Sequence, residues 1–129
     1  MNQRIVRFAT TIVGVLALTL ATAMPAQAFT TGTVSVGTEK CRVEYGYYIG
    51  TEARSRPAGT STSIPSCYQT QARIRYWDNA TASYYYAYGT KTTGWSIAEA
   101  QTGNVTARAT QGAIRDSGGT YWSGYDISF

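Results

Sequence analysis

The side chains with the clearest chemical potential are arginines and aromatic residues that alternate along two neighbouring segments. Successive side chains of a β-strand point to opposite faces, so residues two positions apart share a face. The residues with this spacing are Arg73, Arg75, Trp77, Tyr84, Tyr86 and Tyr88. Guanidinium groups attract aromatic ring faces, and aromatic side chains with polar tips are favoured at binding surfaces. We therefore take this set as the candidate ligand-binding residues, suited to a sugar ring or a protein partner.

Whether these residues share one surface depends on the register of a predicted hairpin. Two aromatic-rich runs flank Asp-Asn-Ala-Thr, a sequence with turn chemistry. With a loop of residues 79–82, the face opposite the candidates consists of Ile74, Tyr76, Tyr85 and Ala87. A shift by one residue would bury the even-numbered tyrosines instead. We favour the first register, because four-residue loops are common and no glycine stands where a three-residue loop needs one.

Catalytic and metal-binding patterns are missing from the sequence. The chain has no histidine, which removes the commonest general base, the commonest zinc ligand and every Ser-His-Asp arrangement. Glycosidase chemistry needs two carboxylates across a cleft, but Asp78 and Asp116 are better explained as turn residues and Glu44 as an exposed strand residue. No phosphate-binding glycine loop, calcium loop or zinc pattern is present. We expect no enzymatic activity, no metal site and no cofactor.

Residues 1–28 have the organisation of a secretory signal peptide. Arg4 and Arg7 precede an uncharged apolar run, and the segment ends on Ala-Gln-Ala, a small-x-small cleavage pattern. The apolar run is shorter than the roughly 20 residues that a membrane span needs. We expect the segment to form the helix of a signal peptide, with cleavage after Ala28, secretion of the product and no membrane span after processing.

Residues 29–129 have the composition of a single β-domain. All leucines and methionines lie in the signal segment, and Arg4 and Arg7 leave with it, so nine basic side chains face seven acidic ones. Tyrosine, threonine, valine and isoleucine favour strands over helices. We predict an all-β fold, a small antiparallel β-sandwich or barrel of six to seven strands. The small positive charge leaves little electrostatic footprint for nucleic acid, which we do not expect as a partner.

Cys41 and Cys67 are the only cysteines of the chain. An exported protein meets an oxidising compartment, so we predict one disulfide between them. Few aliphatic residues are left to fill the core once the signal segment is removed. We therefore expect tyrosine rings to supply much of the buried apolar area.

Residues 50–66 are rich in glycine, proline, serine and threonine, which indicates a long loop. Long loops in compact domains tend to be functional or mobile. Arg54 and Arg56 therefore form a second candidate binding surface on this loop. The alternative is a solvated crossover between two sheets.

The segment of residues 95–101 has two interpretations. Ser96-Ile97-Ala98-Glu99 fits a capping box at the start of a helical turn. Trp95 and Ile97 fit the alternation of a strand equally well.

Residues 104–115 are typical of a strand whose apolar positions change parity. Val105 and Ala109 stand on odd positions, whereas Ile114 stands on an even one. One extra residue in a strand reverses the faces of all residues beyond it, so we predict a β-bulge near Gln111-Gly112.

Two families of small exported β-proteins are close in size or composition, but their motifs are missing. The tendamistat-type amylase inhibitors present a Trp-Arg-Tyr turn and have two disulfides, whereas this chain has Arg75-Tyr76-Trp77 and one cysteine pair. The lactococcin-972-type bacteriocins carry a Gly-Gly-x-Trp opening and a Ser-Asn-Tyr segment. Both are missing here, although Tyr121-Trp122 near the end of the chain loosely resembles that family. Neither family provides a site that transfers to this chain.

Binding at or outside the cell envelope is the function that these features predict. The ligand would be an extracellular protein or a cell-wall polysaccharide, contacted by the arginine and aromatic side chains. The source we expect is a Gram-positive bacterium, where small exported β-domains are common. The alternatives are a bacteriocin-like antibacterial toxin and a small inhibitor of a secreted hydrolase.

Overall fold

The computed structural model describes residues 29–59, 63–102 and 104–129, which fold into β-strands without any helix. The all-β class predicted from the composition is therefore confirmed. The predicted signal peptide and its cleavage site lie outside the described residues. The strands in chain order are β1 (Thr30–Val36), β2 (Glu39–Gly46), β3 (Glu52–Pro57), β4 (Gln69–Asp78), β5 (Ser83–Tyr88), β6 (Ser96–Glu99), β7 (Asn104–Asp116), β8 (Gly119–Trp122) and β9 (Ile127–Ser128).

The strands form two antiparallel sheets that pack face to face. The four-stranded sheet has the order β1-β2-β3-β6, and the five-stranded sheet has the order β5-β4-β7-β8, with β9 also paired to β7. The described strands outnumber the six or seven expected from the sequence. One strand, β3, forms where a loop was expected. The end of the chain, residues 119–128, contains two short strands, β8 and β9.

The prediction of one long loop over residues 50–66 was wrong, because β3 lies within it. Ala53 and Ser55 are completely buried, and they alternate with Arg54 and Arg56 on the outer face. The strand pairs with β2 on one side and with β6 on the other. Small and charged residues in alternation form a strand here, although their composition is that of a loop.

Within residues 95–101 the structure has a strand, β6 (Ser96–Glu99), and not a helical turn. Ser96 and Ala98 are buried, whereas the side chain of Ile97 is 43% exposed. The strand pairs with β3 at the edge of the four-stranded sheet. Burial at alternate positions decides between the two interpretations that the sequence allows.

Small residues fill the space between the sheets. Ala53 and Ala98 of the four-stranded sheet meet Ala72 and Ile74 of the five-stranded sheet in one buried cluster. No tyrosine is among the fully buried apolar side chains of the described residues. Tyr76 and Tyr45 are partly buried and pack against the two core clusters, so tyrosine rings contribute at the margin of the core and not at its centre. Alanines make up the largest share of the buried apolar side chains in the described ranges.

The disulfide predicted between Cys41 and Cys67 is present, with an S–S distance of 1.99 Å. Cys41 lies in β2 of one sheet, and Cys67 lies just ahead of β4 of the other, so the bridge joins the two layers. It packs with Val34 and Val43 in a second buried cluster. Gly112 is part of this contact, because a Cβ atom there would lie 2.6 Å from the Cys67 Sγ atom.

A β-bulge interrupts the pairing of β4 with β7, but at Thr106 and not near Gln111-Gly112 as predicted. Arg75 pairs with Ala107 and the next residue of β4 pairs with Val105, so Thr106 is the extra residue. Val105 packs against one core cluster and Ile114 against the other. The parity change is real, and Thr106 is the residue that produces it.

Candidate binding surface

The pairing of β4 with β5 brings the candidate residues to one face. Their cross-strand pairs are Arg73–Tyr88, Arg75–Tyr86 and Trp77–Tyr84. The loop consists of residues 79–82, since Asp78 pairs with Ser83. This is the register favoured from the sequence. Ile74 points to the opposite side and is completely buried in the core.

The tyrosines of β5 are among the most exposed large side chains of the protein. Tyr84 and Tyr88 are each 54% exposed, and Tyr86 is 49% exposed. The rings of Tyr86 and Tyr88 are stacked, with their centroids 6.4 Å apart. The backbone of β5 pairs with β4 along its length, so the three rings project from one face of the sheet.

Arg75 is held between an aromatic ring and the β-bulge. Its guanidinium carbon lies 4.7 Å from the centroid of the Tyr84 ring. The rings of Trp77 and Tyr84 make an edge-to-face contact, with their centroids 4.8 Å apart. The Arg75 Nε atom donates a hydrogen bond of 3.1 Å to the hydroxyl oxygen of Thr106. The bulge therefore supplies the hydroxyl group that orients this arginine.

Arg73 lies between two tyrosine rings. Its guanidinium carbon is 5.1 Å from the centroid of Tyr86 and 3.9 Å from the centroid of Tyr125. Tyr125 belongs to the segment between β8 and β9. Its ring also contacts the ring of Tyr88, with the two centroids 6.1 Å apart. Sequence reasoning missed Tyr125, because nothing in the residues around it signals a contact with a distant strand.

Two glutamines fix the position of Tyr125. The Tyr125 hydroxyl donates to Gln71 Oε1 at 3.3 Å, and Gln111 Nε2 donates to the same oxygen at 2.5 Å. The side-chain Nε2 atom of Gln71 donates to the carbonyl oxygen of Gly89 at 2.8 Å. Burial raises the pKa of Tyr125 to about 12, with a further increase from Tyr88 and an opposing effect of Arg73. The phenol is therefore protonated and neutral at physiological pH.

We call this surface the arginine–tyrosine face. Its members are Arg73, Arg75, Trp77, Tyr84, Tyr86, Tyr88 and Tyr125. The same unit, an arginine of β4 over a tyrosine ring, occurs twice along the face. Each stacked pair contributes about 0.5–1 kcal/mol when it is exposed to solvent. The face thus combines cationic groups with exposed rings in a fixed arrangement.

Arg54 and Arg56, the second candidate surface, lie on the outer face of the other sheet and apart from the arginine–tyrosine face. Arg54 forms an ion pair with Glu52 at 2.7 Å, and Arg56 forms one with Glu44 at 2.8 Å. Their guanidinium groups also lie over aromatic rings, those of Tyr48 and Trp95 at 4.3 and 4.4 Å. Because a carboxylate neutralises each of these arginines, this surface has paired charges.

A shallow groove of about 710 Å³ lies at one end of the sandwich. Its lining includes the carboxylates of Glu39 and Asp116, the side chain of Ile114 and the ring of Tyr68. Arg115 at its rim donates to the Tyr68 hydroxyl at 2.9 Å. None of the six candidate residues of β4 and β5 lines this groove.

The carboxylates at the hairpin turns have the structural role predicted from the sequence. Asp78 Oδ1 accepts a hydrogen bond of 2.9 Å from the Ala80 N–H, and Asp116 Oδ1 accepts one of 2.7 Å from the Gly118 N–H. Glu44 forms the ion pair with Arg56. Within the described ranges, no three His, Cys, Asp or Glu side chains lie close enough together to hold a metal ion.

The part of the chain that the structure describes contains no helix long and apolar enough to cross a membrane. The disulfide indicates an oxidising, extracellular-type environment. No known family, no curated protein and no solved structure matches this chain.

Proposed function

We propose that this is a secreted, non-catalytic binding protein that holds an extracellular polysaccharide on its arginine–tyrosine face. The observation that carries the proposal is the exposure of Tyr84, Tyr86 and Tyr88, each about half exposed and all on one face of β5. Contiguous exposed apolar surface is uncommon on soluble proteins and marks interaction sites. Tyrosine adds a polar tip that can hydrogen-bond a hydroxylated ligand.

The face is organised before any ligand arrives. Arg73 is held between two rings, and Arg75 is held by a ring and by the Thr106 hydroxyl. Ordering a free arginine or tyrosine side chain on binding costs roughly 0.5–1.5 kcal/mol. Side chains that are already ordered avoid most of this cost, which supports a binding role.

A ligand with a repeating structure fits this face better than a single protein epitope does. Arg75 with Tyr84 and Arg73 with Tyr86 repeat the same contact along the strands. Residues two positions apart in a strand are separated by about 6.8 Å. A polysaccharide presents equivalent groups at regular intervals, so successive units can make equivalent contacts.

The proposed location outside the cell rests on two features. The first 28 residues have the pattern of a signal peptide, and the disulfide requires an oxidising compartment to persist. Polysaccharides of the cell wall or of the surroundings are the abundant polymers there.

Co-sedimentation with insoluble cellulose, chitin and protease-treated cell walls tests the proposal. The wild type is expected in the pellet with at least one of these, and Tyr86→Ala and Trp77→Ala are expected to remain in solution. Tyr121→Ala is the matched control, because Tyr121 is 46% exposed against 49% for Tyr86 but lies outside the face. Equal retention of Tyr86→Ala and wild type would overturn the proposal. Retention only on walls that still carry protein would replace the polysaccharide with a protein ligand.

A further inference from the structure

We propose that the ligand of the arginine–tyrosine face is an acidic polysaccharide, whose carboxylates are bound by Arg73 and Arg75. This inference rests on the proposed function and specifies the chemical class of the polymer.

The positive charges of the face are not neutralised by the protein. Among the described residues, the ion pairs are Arg54–Glu52 and Arg56–Glu44, both on the other sheet. The acidic residues nearest in sequence to the face have backbone partners. Asp78 accepts from the Ala80 N–H, and Asp126 accepts from the Ser35 N–H at 3.0 Å. Neither Arg73 nor Arg75 therefore has a carboxylate within ion-pair distance among the described residues.

The hydrogen-bond donors of these arginines remain available. The guanidinium of Arg73 lies over the rings of Tyr86 and Tyr125, and its N–H groups donate to no acceptor within the described parts of the chain. Arg75 uses only its Nε atom, toward Thr106. A guanidinium with free edge donors binds a carboxylate through two parallel hydrogen bonds.

The surroundings strengthen such a contact. Both arginines are half-buried among rings, and charges attract more strongly where water is partly excluded. Tyr125 remains a neutral hydroxyl beside Arg73 and adds no negative charge to repel an acidic ligand. The other sheet provides the contrast, because its two arginines are already bound to Glu44 and Glu52.

The spacing favours a polymer with regularly placed charges. Arg73 and Arg75 share a face of β4 at a separation of about 6.8 Å between their backbones. Nucleic acid also combines negative charge with stacking bases, but its non-specific binding needs a large positive patch. The predicted processed chain has nine basic against seven acidic side chains, so attraction to any polyanion is confined to Arg73 and Arg75. Two cations with free edge donors suit bidentate contacts with individual carboxylates.

Polygalacturonate and its fully methyl-esterified form provide a matched pair of probes, since esterification removes the charge and keeps the sugar backbone. The wild type is expected to bind the acidic form at least tenfold more tightly, with an affinity that falls as salt is added. Arg73→Gln and Arg75→Gln are each expected to lose at least tenfold on the acidic form, since each removes a charge-assisted contact to a carboxylate. Arg56→Gln is the control, because its charge is paired and lies on the other sheet.

The outcomes separate the two proposals. Equal affinity for both forms would overturn the acidic specificity and leave polysaccharide binding in place. If the protein binds neither form of polygalacturonate and none of the insoluble polysaccharides, both proposals are overturned. Displacement of the protein from polygalacturonate by lower concentrations of single-stranded oligothymidylate would assign the face to nucleic acid instead. Circular dichroism of Arg73→Gln and Arg75→Gln verifies that each variant is folded before its affinity is interpreted.

Discussion

The guanidinium carbon of Arg73 lies 3.9 Å from the centroid of the Tyr125 ring, which joins the central strand β4 to the segment ahead of β9. Tyr125 in turn contacts Tyr88 on the edge strand β5. The last segment of the chain therefore closes the arginine–tyrosine face across two strands. Part of the candidate site is set by tertiary structure and not by the hairpin alone.

Removal of the Tyr125 ring is expected to weaken binding to polygalacturonate. Tyr125→Ala deletes one of the two rings that hold Arg73, a contact worth roughly 0.5–2 kcal/mol, or about twofold to thirtyfold in Kd. Tyr125→Phe keeps the ring and loses only the hydrogen bond to Gln71, so its Kd is expected to lie close to that of the wild type. Titration calorimetry measures both values, and equal losses in the two variants would contradict the role of the ring.

The ionisation of Tyr125 is expected near pH 12. Burial is the main cause, and the folded pKa then exceeds the unfolded value of 10.0. A folded state that holds its proton more tightly loses stability as the pH rises from the unfolded pKa to the folded one. This contribution is therefore fully present below pH 10 and lost toward pH 12. Subtracting the phenolate absorbance titration of Tyr125→Phe from that of the wild type isolates the step, and a step at pH 10 would refute the assignment.

The alternation in β4 and β5 could be predicted from the sequence because it depends on local rules. The two-residue period assigns the faces, and the absence of a suitably placed glycine selects the four-residue loop before Ser83. The position of Tyr125 could not be predicted, because its partner Arg73 is distant in the chain and the contact depends on how β8 and β9 pair with β7.

Two further differences between the sequence predictions and the structure, the strand β3 and the position of the β-bulge, have local physical causes. Ala53 and Ser55 are small and weakly apolar, so the core-facing side of β3 resembles a loop in composition. The bulge at Thr106 follows from the pairing with Arg75. A parity change in one strand shows that an extra residue exists, but the partner strand decides where it lies.

Ile74 is expected to be the most costly apolar truncation in the described core. Its side chain is completely buried between the sheets, so Ile74→Ala should destabilise the fold by roughly 2–5 kcal/mol. Ile97→Ala is the matched control, because this isoleucine is 43% exposed on β6, and its cost should stay below about 1 kcal/mol. Urea unfolding of the two variants gives the comparison, and a similar loss in both would refute the assigned faces of β6.

The Cys41–Cys67 disulfide is expected to supply a large share of the stability. The bridge spans a sequence separation of 26 residues, and closing a loop of this size contributes roughly 3–4 kcal/mol by the chain-entropy relation. The double variant Cys41→Ser, Cys67→Ser should therefore unfold at a much lower urea concentration than the oxidised wild type. The reduced wild type should match the double variant, and unchanged unfolding of both would show that the bridge is dispensable.

The position of the bound polysaccharide tests the central claim most directly. Amide chemical shifts of the ¹⁵N-labelled processed protein, recorded with soluble oligogalacturonides and separately with neutral cello-oligosaccharides, show which residues respond to a ligand. Binding at the arginine–tyrosine face predicts changes along β4 and β5 and at Tyr125, reduced in Tyr86→Ala and retained in Tyr121→Ala. Changes confined to the groove around Glu39 and Asp116 or to the β3 face, or no changes with either probe, would contradict it.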